Sequence, residues 1–197
     1  MSFILASQSP RRRELLQKLN IPFTVRVADV DETMDKDLPL TDAVAQLSLR
    51  KAAAIAREQD DIVIAADTIV VLDNTVLGKP RDEKDAFQML KNLSGRSHQV
   101  MTGVTVLQGD SFRCHTEVTE VFFRTLTDEE ILAYIRTKDP MDKSASPIWY
   151  DKAGGYGIQT AFGAKAVERI HGDFYSVMGL PVSRLYRVLR DEFGFYI

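Results

Sequence analysis

Apolar and polar positions alternate between strand-like and helix-like segments along the whole chain. A short apolar run predicts a strand at Phe3 to Ala6, and a stretch rich in Ile and Val predicts a buried strand at Asp61 to Leu72. Two longer β-rich stretches run from His98 to Leu107 and from Phe112 to Phe123, and the Gln108-Gly109-Asp110 segment between them is typical of a hairpin turn. A hairpin inside an otherwise alternating pattern predicts an α/β protein with a mixed sheet.

Helical periodicity and capping residues predict five helices between and after these strands. Ser9-Pro10 begins the first one, because serine is a favoured cap and proline fits the first helical turn. The other four are predicted from Thr41 to about Glu58, from Asp82 to Ser94-Gly95, from Thr127 to about Arg136, and from Leu180-Pro181 onward.

Length and composition narrow the class of protein. The 197 residues, 45% of them hydrophobic, suit one sizeable domain or two small ones around a shared core. A formal net charge of −3 excludes the broad basic surface that binds nucleic acid polymers. The single cysteine, Cys114, excludes an internal disulfide, and no apolar run approaches the roughly 20 residues of a membrane span. We therefore predict a cytoplasmic protein whose partner is neither a nucleic acid polymer nor a membrane.

Hydroxyl groups and arginines follow the first predicted strand at the start of a helix. Ser7 and Ser9 precede Arg11-Arg12-Arg13. Backbone N–H groups and the positive end of the helix dipole favour a bound phosphate there, and arginine adds paired donors suited to phosphate oxygens. The alternative is three arginines on a solvated helix face, and these residues alone do not decide between the two.

Two sets of carboxylates are candidates for metal or proton chemistry. Asp67 ends an apolar run and precedes Thr68, and active carboxylates of α/β folds often lie where a buried strand runs out. Asp31 and Glu32 are adjacent in a loop-like stretch and carry the hard oxygens that Mg²⁺ or Mn²⁺ prefers. The alternatives are a strand-end Asp67 satisfied by backbone donors and a solvated acidic pair.

Two glycine-containing segments are candidates for ligand contact. Gly78-Lys79-Pro80 would present Lys79 as a fixed charge, although its spacing is not that of a P-loop. The stretch from Asp151 to Gln159 holds three glycines, so its backbone could approach a flat ligand while the Gln159 amide reads a base edge. A plain tight turn rich in glycine is the alternative for this second stretch. The histidines have no metal-ligand spacing, and neither a nucleophile elbow nor a dinucleotide fingerprint is present.

Six short motifs follow one another in a distinctive order. They are Ala6-Ser7-Gln8-Ser9-Pro10-Arg11-Arg12, Ala66-Asp67-Thr68-Ile69-Val70, Leu77-Gly78-Lys79-Pro80, Leu93-Ser94-Gly95-Arg96-Ser97-His98, Asp151 to Gln159, and Val177-Met178-Gly179-Leu180-Pro181. Together they resemble the Maf family of nucleoside triphosphate pyrophosphatases, as a single domain over residues 1–197. The resemblance implies a fold related to the inosine-triphosphate pyrophosphatases: a mixed twisted sheet with flanking helices, and two lobes around a cleft.

The same resemblance implies an activity. Members of this family hydrolyse a nucleotide between its α- and β-phosphates with the help of a divalent metal. The Asp67-Thr68 pair resembles the branch that acts on dTTP and UTP, whereas the branch acting on 7-methyl-GTP typically has Gln at the position of Thr68. A nucleotide-binding regulator of septum formation without significant turnover is the alternative from another class, and the same chemistry on a modified or different base such as 7-methyl-GTP is the narrower alternative. A link to division arrest stays open. Family members are often homodimers, so the resemblance also suggests a homodimer for this chain.

Roles for individual residues are carried over from the family motifs. Asp67 is the expected catalytic proton acceptor, and together with Glu32 it is expected to hold Mg²⁺ or Mn²⁺. The expected specificity positions are Arg11, Thr68 and Gln159. The expected phosphate-binding residues are Ser7, Arg12, Lys51 and Lys79.

The chain departs from the family pattern in one place. The family usually runs a proline, one residue and then Asp-Lys-Ala-Gly, but here nine residues, 144–152, are added and the Asp-Lys pair occurs twice. We favour Asp151-Lys152 over Asp142-Lys143 as the functional pair, because the former is joined to the glycines and Gln159. The added stretch contains Trp149 and is either a flap beside the base pocket or a tolerated surface loop.

Overall fold

The structure is a computed structural model, and it describes residues 2–27, 29–55, 58–137 and 152–196. Its strands are β1 (Phe3–Leu5), β2 (Phe23–Val25), β3 (Ile62–Leu72), β4 (Thr75–Leu77), β5 (Ser97–Gln108), β6 (Ser111–Phe123) and β7 (Val167–His171). Its helices are α1 (Pro10–Gln17), α2 (Leu40–Ala53), α3 (Glu83–Leu93), α4 (Asp128–Ile135), α5 (Ala161–Ala166), α6 (Phe174–Met178) and α7 (Val182–Phe193), with a short 3-10 turn at Ala153–Gly155. No helix in these ranges combines the length and the apolar character that a bilayer span needs.

The strands form one mixed sheet. Its order is β2-β1-β3-β5-β6-β7, and β4 pairs with β3. β1 runs parallel to both β2 and β3, with Leu5 opposite Val25 on one side and Ile64 on the other. β4 is antiparallel to β3, and β7 is antiparallel to β6. The predicted α/β class with a mixed sheet and flanking helices is therefore confirmed.

The central strands are buried on both faces. Ile4 and Leu5 of β1 and the Ile62–Ala66 stretch of β3 have no exposed surface. A continuous apolar run of this kind is typical of a parallel strand that is covered on both faces. Alternating apolar and polar residues would instead indicate a strand with one face exposed to solvent. The predicted first strand is therefore confirmed as β1, and the predicted buried strand is confirmed as β3.

Local capping chemistry sets most of the helix boundaries. α1 begins at Pro10, and the Ser9 hydroxyl accepts a hydrogen bond from the backbone N–H of Arg12. α4 begins with the capping box formed by Thr127 and Glu130. The predicted extension of α2 to about Glu58 is wrong, because the helix ends at Ala53. The apolar pattern continues past the end of the helix because Ile55 is buried. The N–H of Ile55 nevertheless bonds to the Ala52 carbonyl, which is the tighter spacing of a turn and not that of an α-helix.

The chain divides into two compact units. The first unit comprises Met1–Thr68, Met101–Val118 and Asp173–Ile197, and the second comprises Ile69–Val100 and Thr119–Gly172. The first unit therefore holds α1, α2, α6 and α7, whereas the second holds α3, α4 and α5.

Helix α2 lies against β5 at unusually close range in the first unit. A Cβ atom on Gly103 of β5 would lie 2.5 Å from the carbonyl oxygen of Val44 and 3.0 Å from the Cα of Ala45. One turn further along α2, the Ser48 hydroxyl lies 2.7 Å from the Thr105 hydroxyl. These contacts fix α2 against β5. They therefore also fix the position, relative to the sheet, of the next helical turn, which carries Lys51.

A buried histidine belongs to an aromatic cluster of the second unit. His98 Nε2 lies 2.7 Å from the hydroxyl oxygen of Tyr156, and the imidazole meets the rings of Tyr156 and Phe123 edge to face. Only 3% of His98 is exposed. Burial disfavours the charged imidazolium and lowers the pKa of His98 from 6.5 to about 4.

This burial predicts a pH dependence of stability. The pKa of His98 is lower in the folded state than in the unfolded chain. The contribution of the neutral imidazole to the unfolding free energy is therefore complete above about pH 6.5, and it is lost as the pH falls towards 4. Between pH 7.5 and 4.5 the wild type is expected to lose about 2 kcal/mol more unfolding free energy than His98→Phe. Urea unfolding of both proteins at the two pH values measures the difference, and equal losses would contradict the assignment.

Candidate active site

The parallel pairing of β1 with β3 brings the first motif to the side of Asp67 and Thr68. Leu5 lies opposite Ile64, and the N–H of Ala6 donates to the Ile64 carbonyl at 2.8 Å. The chain that leaves β1 therefore passes alongside the continuation of β3. Because successive side chains of a strand point to opposite faces, Asp67 and Thr68 each anchor a separate group of polar residues.

The group around Thr68 is held together by Arg12 of α1. Arg12 Nη1 donates to the Ser7 hydroxyl at 3.3 Å, and Nη2 donates to the Thr68 hydroxyl at 3.3 Å. Its Nε donates to the carbonyl oxygen of Gly179 at 2.9 Å. One guanidinium thus joins three segments that are far apart in the sequence, and it brings Ser7 and Thr68 into one group.

The hydrogen-bond direction at Thr68 follows from counting protons. The Thr102 hydroxyl lies 2.9 Å from that of Thr68 and donates to the Ser176 carbonyl at 2.8 Å. Since Thr102 has one hydroxyl proton, Thr68 must be the donor in the pair, and Arg12 must be the donor to Thr68. The Thr68 oxygen therefore keeps only accepting capacity for a ligand.

Burial and charge act in opposite directions on Arg12. Burial lowers the pKa of the Arg12 guanidinium, the carboxylates of Asp67 and Glu32 raise it, and the neighbouring Arg11 lowers it. Arginine remains protonated in proteins, so Arg12 brings a permanent positive charge to this group. Arg11 is half-buried next to it, at the start of the same helix.

The group around Asp67 is centred on the ammonium of Lys51. Lys51 Nζ lies 2.5 Å from Asp67 Oδ1 and 2.8 Å from Glu32 Oε1. The side chains of Lys51 and Asp67 are each 15% exposed, whereas that of Glu32 is 67% exposed. The two carboxylates predicted to hold a metal therefore converge on one cationic atom, with Asp67 on the protein side and Glu32 on the solvent side.

The donor chemistry of this carboxylate pair suits a magnesium-like ion. Within the described ranges, no three His, Cys, Asp or Glu side chains are grouped closely enough to hold a metal. Mg²⁺ commonly takes one or two protein carboxylates and completes its shell with water and substrate phosphates. Glu32 and Asp67 supply two such carboxylates around one positive group. The pair therefore fits an ion that also takes ligands from a phosphate chain.

Two of the predicted motifs meet inside the second unit. The N–H of Gly154 donates to the carbonyl of Gly78 at 3.0 Å, and Pro80 is buried. Gly154 has a φ of 70°, a left-handed conformation that glycine adopts without strain. Lys79 is exposed between Gly78 and Pro80, and its expected role as a fixed charge stays a prediction.

The remaining predicted positions lie on either side of the 3-10 turn or outside the described residues. Lys152 is buried, and its Cε would lie 3.0 Å from a Cβ added to Gly157, so the lysine packs across that glycine. Gln159 is exposed. Asp151 lies outside the described residues, as do Asp142-Lys143 and Trp149, so the predictions for the added stretch stay predictions.

Sequence reasoning missed Thr102, Ser176 and the carbonyl of Gly179. Thr102 has no exposed surface in β5, and its contact with Thr68 depends on the pairing of β5 with β3. A threonine in the middle of the Val-rich β5 was the available signal. The role of Gly179 is a backbone role, and the identity of the residue alone does not reveal it.

The fold and the site define a class of protein: an α/β protein with a mixed sheet and with a cluster of cations and carboxylates beside β1 and β3. Residues 2–192 match the model of the Maf-like protein family, and the chain belongs to that family. The family prediction is thereby confirmed.

Named relatives and one solved structure are similar to this chain. It is 48% identical over 190 residues to a dTTP/UTP pyrophosphatase of Bacillus cytotoxicus, with 96% of this chain and 94% of the relative covered. It is 45% identical over 192 residues to a dTTP/UTP pyrophosphatase of Aquifex aeolicus, with 97% and 95% covered. A HAM1 protein from Coxiella burnetii has a similar structure, with a TM-score of 0.53 at 16% identity over 97% of this chain and 99% of the other. That last likeness concerns the fold alone.

Proposed function

We propose that this protein hydrolyses the pyrimidine nucleotides dTTP and UTP to the nucleoside monophosphate and pyrophosphate. The observation that carries the proposal is the Asp67 carboxylate, largely buried beside Lys51 and Glu32. Relatives that are 45% and 48% identical over nearly their whole length are named dTTP/UTP pyrophosphatases, which supports the same activity here.

Ser7 and Arg12 form the proposed phosphate site at the start of α1. The Ser7 hydroxyl accepts from the N–H of Ser9 at 3.2 Å and from Arg12 at 3.3 Å, so its own proton is left to donate. Arg12 carries five N–H groups, and its contacts with Ser7, Thr68 and Gly179 use three. Both side chains can therefore bind phosphate oxygens without breaking the contacts that hold them.

The proposed reaction is attack by water on the α-phosphorus. The water oxygen bonds to this phosphorus, the bond to the oxygen that bridges to the β-phosphorus breaks, and pyrophosphate leaves with the electron pair. The proton of the water passes to the Asp67 carboxylate, which acts as general base. Lys51 and Arg12 offset the negative charge of the phosphates, and this kind of stabilisation dominates phosphoryl-type transfer.

Glu32 and Asp67 are the proposed holders of a divalent cation, Mg²⁺ or Mn²⁺. When bound, such an ion neutralises phosphate charge and stabilises the leaving pyrophosphate. The roles of Lys79, Gln159 and the Asp151-Lys152 pair stay predictions carried over from the family motifs. A cytoplasmic location, a homodimer and a link to cell division also stay predictions.

Thr68 is the proposed reader of the pyrimidine base, together with Arg11. Its hydroxyl oxygen can only accept from a ligand, and thymine and uracil present a ring N–H between two carbonyls, whereas cytosine lacks that ring N–H. We expect Thr68→Gln to lower kcat/KM for dTTP and UTP by about 100-fold, because the longer amide fills the space in which the base is proposed to meet the Thr68 hydroxyl. Rates with dTTP, UTP, CTP and 7-methyl-GTP measure the change.

Thr68→Ser is the matched control for this substitution, because it keeps the hydroxyl. It is expected to stay close to the wild type on the same four nucleotides. An unchanged substrate profile in Thr68→Gln would contradict the role of Thr68 in base recognition.

The proposed function is tested with a panel of nucleoside triphosphates, with Mg²⁺ or Mn²⁺ present. Pyrophosphate release is measured for each nucleotide, and binding is measured in parallel by calorimetry. We expect turnover to be fastest with dTTP and UTP. Tight nucleotide binding without any pyrophosphate release would overturn the proposal and favour the nucleotide-binding regulator of septum formation.

A further inference from the structure

The ammonium group of Lys51 lies where the proposed metal ion is expected to bind. Its Nζ is 2.5 Å from Asp67 Oδ1 and 2.8 Å from Glu32 Oε1. These are the two carboxylates assigned to the divalent cation. An ammonium and a metal ion that binds both carboxylates would need the same space, and two cations so close together repel each other strongly.

We propose that Lys51 is an internal counter-cation, which a divalent metal ion displaces and which then becomes a ligand of the nucleotide phosphates. This inference rests on the proposed function for the presence of the metal and the nucleotide. Lys51 thus has two successive partners: first the carboxylates of Asp67 and Glu32, and then the phosphate chain.

The resting position of Lys51 is stable for two reasons. Without a cation between them, the Asp67 and Glu32 carboxylates would repel each other, and Asp67 is only 15% exposed to water. Lys51 also lies in the last turn of α2, where the negative end of the helix dipole favours a positive charge.

The same arrangement allows Lys51 to leave. A lysine ammonium is compact and sits on a flexible four-carbon chain, unlike the rigid guanidinium of arginine. Glu32, at 67% exposure, forms the solvent side of the group, so a hydrated ion reaches the carboxylates without passing through the core.

Displacement makes metal binding depend on the nucleotide. In the absence of nucleotide, Lys51 exchanges two carboxylate partners for water, which weakens metal binding. In its presence, the released ammonium gains a new anionic partner. Metal and nucleotide therefore favour each other's binding through Lys51, in addition to their direct contact, and this coupling is reciprocal.

The first test measures Mn²⁺ binding to the nucleotide-free protein by titration calorimetry. We expect Lys51→Met to bind Mn²⁺ about tenfold more tightly than the wild type, because no ammonium competes for the carboxylates. Lys18→Met removes the same charge from an exposed position at the end of α1 and is expected to match the wild type. Binding to Lys51→Met that is no tighter than to the wild type would overturn the proposal.

The second test uses the unaltered chain and does not depend on the folding of a variant. Lysines are acetylated with an activated ester, with and without Mn²⁺, and the rate at each lysine is read by mass spectrometry. We expect Mn²⁺ to speed the labelling of Lys51 several-fold and to leave Lys18 unchanged, whereas an unchanged or slower rate at Lys51 would overturn the displacement. Neither test involves turnover, so a protein that passes both but hydrolyses no nucleotide would refute the proposed function alone.

Discussion

Asp67→Asn is expected to lower kcat for dTTP about a thousandfold, since general-base catalysis by a positioned side chain contributes about 100-fold to 10,000-fold. The amide has nearly the same shape as the carboxylate, but it accepts no proton from water and is a poor ligand for a divalent cation. It also leaves Glu32 as the remaining carboxylate partner of Lys51 in this group. Steady-state pyrophosphate release measures the loss.

Asp60→Asn is the matched control for this variant, because it makes the same chemical change at an exposed position. Its kcat is expected to equal that of the wild type. Thermal unfolding of both variants checks that the fold is retained. An Asp67→Asn protein that is folded and retains wild-type kcat would refute the role of Asp67 as general base.

Arg12→Lys is expected to lower both stability and activity, although the charge is kept. The guanidinium donates to Ser7, Thr68 and Gly179 from three different nitrogens, and a single ammonium cannot reach all three acceptors. We expect a loss of about 2 kcal/mol in unfolding free energy, the scale of losing charge-assisted hydrogen bonds. Misplacement of the phosphate-binding groups is expected to lower kcat/KM about 100-fold.

The neighbouring Arg13 provides the control for this substitution. It is exposed on the same helix, so Arg13→Lys tests an equal chemical change away from the site. Urea unfolding and kcat/KM for dTTP are measured for both variants. Equal behaviour of Arg12→Lys and Arg13→Lys would show that the three-point contact of Arg12 does not matter.

The parts of the fold that the sequence predicted are those with a strong local signal. β3 is a continuous apolar run, α1 has its Ser9-Pro10 start, and α4 has its capping box. Each of these signals acts within a few residues of the chain, so neighbouring residues alone determine it.

The elements that were not predicted are short, and they depend on distant partners. β2 spans Phe23–Val25 and exists through its pairing with β1, and β7 spans Val167–His171 and pairs with β6. α6 has only five residues, Phe174–Met178. Segments of this length carry too little periodicity to be distinguished from loops, so only the tertiary contacts define them.

The candidate site shows the same division between local and distant information. The family resemblance pointed to Ser7, Arg12, Asp67 and Lys51, and the structure brings Ser7 to Arg12 and Asp67 to Lys51. The position of the Lys51 ammonium between two carboxylates was not predictable, because it depends on how α2 packs against the sheet. The close approach at Gly103 sets that packing, and no local pattern records it.

In the proposed reaction, water attacks the α-phosphorus of a pyrimidine nucleoside triphosphate. The most direct measurement is hydrolysis of dTTP in ¹⁸O-labelled water, followed by mass spectrometry of both products. Attack at the α-phosphorus predicts one ¹⁸O atom in the thymidine monophosphate and none in the pyrophosphate. Label in the pyrophosphate, or release of orthophosphate in its place, would contradict this account of the site around Asp67.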